Sequence, residues 1–190
     1  MRIGIVTFHR ARNYGAVLQA YALQVALSKH GESKVIDYKS NKIEAVYKKL
    51  IKTNTIKSFL RSAAYYVPVC LKTRKFRFFR KRMLNCTKPI DTREQLLALN
   101  SYFDIFFTGS DQVWHYKHSD FDKAYFLDFV SDNKKKNSYA ASFGFERIPQ
   151  EYEYEYLNLL KHFNNISVRE RQGENLYGQA PGKNRGRCAV

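Results

Sequence analysis

The sequence predicts an α/β fold, a Rossmann-like doubly wound and mostly parallel sheet. Three observations carry that expectation. Short, nearly unbroken apolar runs recur: RIGIVTF at 2–8, SKVIDY at 33–38 and FDIFFTG at 103–109. Such runs belong to strands covered on both faces. A run of helical length, residues 15–30, lies between the first two and meets Gly31, which is the strand–helix–strand order of a parallel crossover. The 190 residues, 44% apolar and 15% aromatic, suffice for one domain with a sizeable core.

Each element follows from its own residues. The 15–30 helix is apolar almost all round, interrupted by Gln19 and Gln24, so it needs cover on more than one side. Residues 43–63 and 69–84 read as two helices divided by Pro68. In the second, Phe76, Phe79 and Met83 share a face and basic residues fill most of the rest. DTRE (91–94) resembles a capping box ahead of QLLAL. AYFLDFV (124–130) suits a strand or a buried turn, and SDNKKKN (131–137) a solvated loop. SYAASFG (138–144) reads as a strand ending in small residues, 152–163 as a helix, and ISVRE (166–170) as a strand feeding a helix start. Residues 1–177 are therefore expected to form one Rossmann-like domain. The tail 178–190, GQAPGKNRGRCAV, is Gly-rich and basic without a strand pattern, and reads as a truncated or frameshifted end.

Charge is unevenly placed. Residues 39–88 hold 15 Lys/Arg and one acid, Glu44, whereas the remaining residues hold 18 Lys/Arg and 16 Asp/Glu. This marks 39–88 as a basic helical insert with its own positive field. A basic helix with an aromatic face suits either an anionic membrane surface or packing against the domain with a solvated basic side. Nucleic acid is not the expected partner, because no base-reading motif accompanies the charge. Cys70, Cys86 and Cys188 are widely spaced, a pattern of neither a metal site nor a disulfide framework. No apolar run reaches bilayer length and residues 1–8 lack a signal pattern; the expected location is cytoplasmic, at or near the inner face of the membrane.

The chemistry-bearing residues cluster where apolar runs end. The loop before Gly15 carries His9, Arg10, Arg12, Asn13 and Tyr14. It is either an ordinary turn or a helix N-terminus open to an anionic or hydroxylated ligand. Its spacing matches neither a dinucleotide fingerprint nor a P-loop. In TGSDQVWH (108–115), Gly109 and Ser110 allow close backbone approach at a strand end. Asp111 can orient or deprotonate a hydroxyl, or simply cap a helix; Gln112 can donate and accept; Trp114 can stack on a sugar ring or sit in the core. Ser142 and Gly144 keep a third strand end small. Arg169 can bind a carboxylate or phosphate, or pair with Glu170 or Asp111.

Together and in this order, GIVTFHRARNYGAVLQAYALQ (4–24), VIDY (35–38), FDIFFTGSDQVW (103–114), AYFLDFV (124–130), SYAASFG (138–144) and ISVRERQG (166–173) resemble the polysaccharide pyruvyl transferase family. The 39–88 stretch matches it only loosely. The resemblance implies the N-terminal half of a glycosyltransferase-B-like enzyme of two Rossmann-like domains. Such enzymes move a pyruvyl group from phosphoenolpyruvate onto sugar hydroxyls as a ketal in cell-surface polysaccharides, without a cofactor or metal. It implies Asp111 and His9 as proton-handling residues. Asn13, Tyr14, Gly15, Gly109, Ser110, Gln112, Trp114, Ser142, Gly144 and Arg169 would bind substrate, Arg169 as the candidate for an anionic group at the domain interface. The acceptor is a sugar, lipid-linked in one version, with residues 69–84 touching the membrane. The donor-binding C-terminal domain would lie outside this chain, which alone is expected to be inactive. Two other readings are a nucleotide-sugar glycosyltransferase of similar fold and a non-catalytic remnant that binds glycan or polyanion.

Overall fold

A computed structural model describes residues 1–40, 56–171 and 173. It is an α/β fold around a four-stranded, all-parallel sheet. Strands β1 (Arg2–Val6), β2 (Glu32–Val35), β3 (Ile105–Gly109) and β4 (Lys136–Tyr139) stand in the order β2-β1-β3-β4. Ile3 of β1 pairs with Ser33 on one side and Ile105 on the other, and Thr108 of β3 pairs with Ser138 of β4. Both edges are extended by single bridges. Val35 and Tyr38 pair with Cys86 and Ile90, while Asn137 and Ala141 pair with Asn165 and Val168.

The chain moves from β1 to one side and then returns to the other side of β1. The topological switch point therefore lies between β1 and β3, and the loops after those strands flank it. This places the segments starting at Thr7 and Ser110 side by side.

Helix α1 (Tyr14–Ser28) is the first crossover. Its start is fixed by Asn13, whose Oδ1 accepts from the Gly15 N–H at 2.8 Å; the cap satisfies a donor that the helix leaves unpaired. Ala16, Val17, Ala20 and Leu23 are buried. A smaller core of Ile3, Ile5, Ala20, Leu23, Val35 and Leu84 joins α1 to the sheet. On a second side, Tyr14 meets Phe76 and Tyr21 meets Phe79. Leu18 and Val25 remain exposed.

Helix α2 (Ile56–Met83) runs continuously through Pro68, so the expected division there does not occur. A proline costs its own N–H bond and bends the axis, and the helix continues past it. The expected 43–63 helix falls largely outside the described residues. Helix α3 (Arg93–Ala98) does begin in a capping box, but with Thr92 and Gln95 rather than within 91–94. Thr92 takes the Gln95 N–H and Gln95 returns to the Thr92 N–H.

Other boundaries also move. Residues 124–130 take the buried-turn alternative, with a 3₁₀ turn at Lys123–Phe126. Strand β4 begins inside the expected loop, with Lys136 and Asn137 buried. Its ladder ends at Tyr139, so most of 138–144 is not strand. Residues 166–170 form no strand of a ladder: their bridge is Val168 to Ala141, just past β4, while Asn165 before them bridges Asn137. Short helix α4 (Tyr116–Ser119) follows β3, and α5 (Gln150–Leu160) matches the expected last helix closely.

The larger core lies on the opposite face of the sheet from α1. It gathers Phe103, Phe106, Trp114, Tyr125, Phe126, Phe129, Phe143, Tyr156 and Phe163 among others. Gly4 faces it: a Cβ there would lie 3.0 Å from Phe106 and 3.1 Å from Phe103. The missing side chain is what lets those rings close against β1.

Candidate functional site

The carboxyl ends of the strands are tied by a line of hydrogen bonds that crosses the sheet. At the switch point, Ser110 Oγ donates to Gln19 Oε1 at 2.6 Å, and Gln19 Nε2 donates to Thr7 Oγ1 at 2.9 Å. This joins the ends of β3 and β1 through α1. The next step is backbone. Ser142 N–H donates to the Asp111 carbonyl at 3.0 Å, and Trp114 N–H donates to the Ser142 carbonyl at 3.2 Å. The last step is side chain. Ser142 Oγ donates to Glu170 Oε1 at 2.7 Å, and Arg169 reaches both, Nε to Glu170 at 2.8 Å and Nη2 to Ser142 at 3.1 Å. Ser142 is fully buried, so this network fixes backbone position as well as side chains.

Gly109 permits the close approach this needs. It sits at φ +125°, and a Cβ would lie 2.1 Å from the Tyr139 carbonyl oxygen. Any side chain would drive β3 and β4 apart at their ends.

Asp111 lies at the centre of the line. Its Oδ1 accepts from the Gln112 N–H at 2.8 Å. Its second carboxylate oxygen has no partner among the described residues, and no cation there pairs with it. Asp111 does not cap α4; His115 does, accepting from the Lys117 N–H. A half-exposed carboxylate with one oxygen pinned and one uncommitted can accept a hydroxyl proton or orient the hydroxyl.

Beyond β4 lies a pocket of about 200 Å³, lined by Phe143, Gly144, Phe145, Glu146, Glu170 and Gly173. Gly144, at φ +69°, packs against Gln112 and His115; a Cβ would meet each within 3 Å. This brings Gln112 to the pocket rim. The pocket offers carboxylates and an aromatic ring, a lining suited to hydroxyls and a sugar face.

The remaining expected residues are placed elsewhere. His9 is 2% exposed. Its Nδ1 lies 3.0 Å from the Thr7 carbonyl and its Nε2 2.7 Å from Asp37 Oδ1. Both partners only accept, so filling both bonds requires a proton on each nitrogen. Arg10 joins through two bonds to Asp37, Nε at 2.7 Å and Nη2 at 2.9 Å. Burial would push the Asp37 carboxyl up, but the hydrogen bonds from His9 and Arg10, helped by their charge, outweigh it. The carboxyl is held well below the usual carboxylate range. Asp37, two residues past β2, thus supplies one counter-charge to the positive loop, a role the sequence reading did not give it. The one available signal was its position in VIDY, just past an apolar run.

Asn13 and Gly15 form the α1 cap, and Tyr14 is exposed against Phe76. Trp114 has no exposed surface. Its indole N–H donates to the Tyr125 carbonyl at 3.2 Å, and Phe126, Phe143 and Phe163 surround the ring. Of the two readings offered for Trp114, the structure shows the core one. Arg169 likewise takes the pairing alternative, with Glu170 rather than Asp111. Gln19 was visible in sequence only as a polar break in an apolar helix. Phe145 and Glu146 carried no signal at all.

Strand-end loops tied across a switch point, with an uncommitted Asp at the middle, are the setting of a ligand site in an open α/β sheet. The family model for polysaccharide pyruvyl transferase matches residues 13–180. The chain belongs to the polysaccharide pyruvyl transferase family. That family match takes in Gly109, Ser110, Asp111, Ser142 and Arg169, and begins at Asn13, so His9 precedes it. The family is one of transferases. Comparison with curated proteins and with solved structures gives no match.

Proposed function

We propose that the protein takes part in transfer of a pyruvyl group from phosphoenolpyruvate to two hydroxyls of a sugar, as a ketal, with this domain holding the acceptor. The balance is simple. One hydroxyl oxygen bonds to the enol carbon while the methylene carbon gains a proton and becomes methyl. The carbon–oxygen bond to phosphate then breaks, the second hydroxyl oxygen closes the ketal, and the two hydroxyl protons end on the methyl carbon and the phosphate. The chemistry needs a base for the hydroxyls and stabilisation of the leaving anion.

The observation that supports this reading is Asp111, at the sheet's switch-point edge with one oxygen free of partners among the described residues. It acts on the acceptor hydroxyl. Gln112 and the 143–146 wall grip the sugar, with Phe145 in the stacking role expected of Trp114. Ser110, Ser142, Arg169 and Glu170 position the loops, and His9 acts through its bonds to Asp37 and Thr7. The phosphoenolpyruvate falls to a second Rossmann-like domain in a glycosyltransferase-B-like arrangement.

The test is Asp111→Asn in the protein together with any such donor domain. Loss of a general base lowers turnover by about 10²–10⁴-fold, with the melting temperature and KM for phosphoenolpyruvate unchanged. Normal turnover in a folded variant removes Asp111 from the mechanism.

A further inference from the structure

The inner and outer faces of α2 differ sharply. Phe76 and Phe79 turn inward onto Tyr14 and Tyr21 of α1, and Phe76 is buried. Arg80 also turns inward, where burial lowers its pKa and Arg10 and Asp37 are close enough to act on it. Roughly half a turn away, Leu71 is 54% exposed and Phe78 61% exposed. They are seven residues apart, so they stand two turns apart on one face. Arg74, Lys75, Lys81 and Arg82 surround them on the same face, and the Arg82 guanidinium lies 5.8 Å from the Phe78 ring centre. This face borders an open depression of about 840 Å³. Residues 56–83 contain nine Lys/Arg and no Asp or Glu.

We propose that the outer face of α2 docks the protein on an anionic lipid bilayer. Charge complementarity names the class of partner, since Arg74, Lys75, Lys81 and Arg82 share this face of a helix whose sequence holds no acid, and such a cluster matches a dense negative surface. The apolar pair selects the bilayer among such surfaces. Leu71 gains nothing from a phosphate backbone, but at the headgroup–acyl boundary Leu71 and Phe78 leave water while the surrounding cations stay at headgroup level. Among the described residues no helix is long and apolar enough to cross a membrane, so the contact is peripheral. It would keep the sugar site beside lipid-linked acceptors.

The experiment is vesicle flotation of the whole protein with mixed phosphatidylcholine–phosphatidylglycerol vesicles, against phosphatidylcholine alone. Binding is expected only with phosphatidylglycerol and weakens with salt. Each basic side chain near such a surface contributes about fivefold, so Arg74, Lys75, Lys81 and Arg82 all changed to Gln lower the partition more than about a hundredfold. Leu71→Ser with Phe78→Ser, at unchanged charge, also lowers it several-fold. Neither set touches Phe76 or Phe79, so circular dichroism and melting stay as in the parent. Absent binding, equal binding to neutral vesicles, or full retention by the serine variant overturns the proposal. So does a single-stranded RNA that binds more tightly than the vesicles and is indifferent to the serine changes.

Discussion

Replacing Asp37 by Asn removes the anion that His9 and Arg10 share. The carboxylate accepts three bonds between 2.7 and 2.9 Å from them, and its side chain is only 12% exposed, so solvent screens the charges little. An amide keeps one acceptor oxygen but turns its NH₂ toward an N–H donor, and it leaves Arg10 without a counter-charge. Removing one member of a buried pair costs about 3–5 kcal/mol. In a domain of this size each kcal/mol moves the melting temperature by about 2–4 °C, so Asp37→Asn lowers it by about 6–20 °C at neutral pH.

The pH dependence follows with its sign. The folded carboxyl titrates below its unfolded value. Its stabilisation is therefore complete above the unfolded pKa, about 3.9, and is lost as pH falls through the folded pKa. Thermal melts of parent and variant from neutral to acid pH check this. The gap stays constant down to the carboxylate range and narrows below it. A variant within about 2 °C of the parent at neutral pH, with an identical acid limb, refutes the claim that this pair holds the loop.

Other outcomes follow from packing. Gly109→Ala puts a methyl 2.1 Å from the Tyr139 carbonyl at a positive φ and costs more than about 3 kcal/mol, read as loss of the cooperative melt or of soluble protein. Trp114→Ala removes a fully buried ring and costs about 3–5 kcal/mol in denaturant unfolding; a stable variant that only loses sugar binding would restore Trp114 to the site. Glu170→Gln keeps the shape but weakens the charged bond from Arg169, so it costs about 1–2 kcal/mol by melting, while Glu170→Ala costs more.

The sheet was legible because its strands are apolar runs of the right length between turn residues, and the order of β1, α1, β2 and β3 follows directly. Strand β4 hid inside KKKN because its burial comes from neighbours: Lys136 and Asn137 gain partners in β3 and the 165–168 segment. Pro68 misled in the usual direction, since local propensity cannot see what holds a helix together on either side of it. In the site, Ser110, Asp111, Ser142 and Arg169 were visible because strand ends concentrate polar residues. Their partners were less so. His9 and Asp37 are 28 positions apart and Ser110 and Gln19 are 91 apart, and no local pattern records such pairs. Trp114 stayed ambiguous because composition does not say which way a ring points.

The central claim is that this acceptor domain serves pyruvyl transfer. The direct measurement supplies phosphoenolpyruvate and a panel of sugar acceptors to the protein together with any such donor domain, following inorganic phosphate and the ketal methyl resonance. The account predicts phosphate release that requires an acceptor, matched one for one by ketal, and both lost together in Asp111→Asn. Acceptor-independent silence with phosphoenolpyruvate, alongside nucleotide release from nucleotide-sugars, would contradict it.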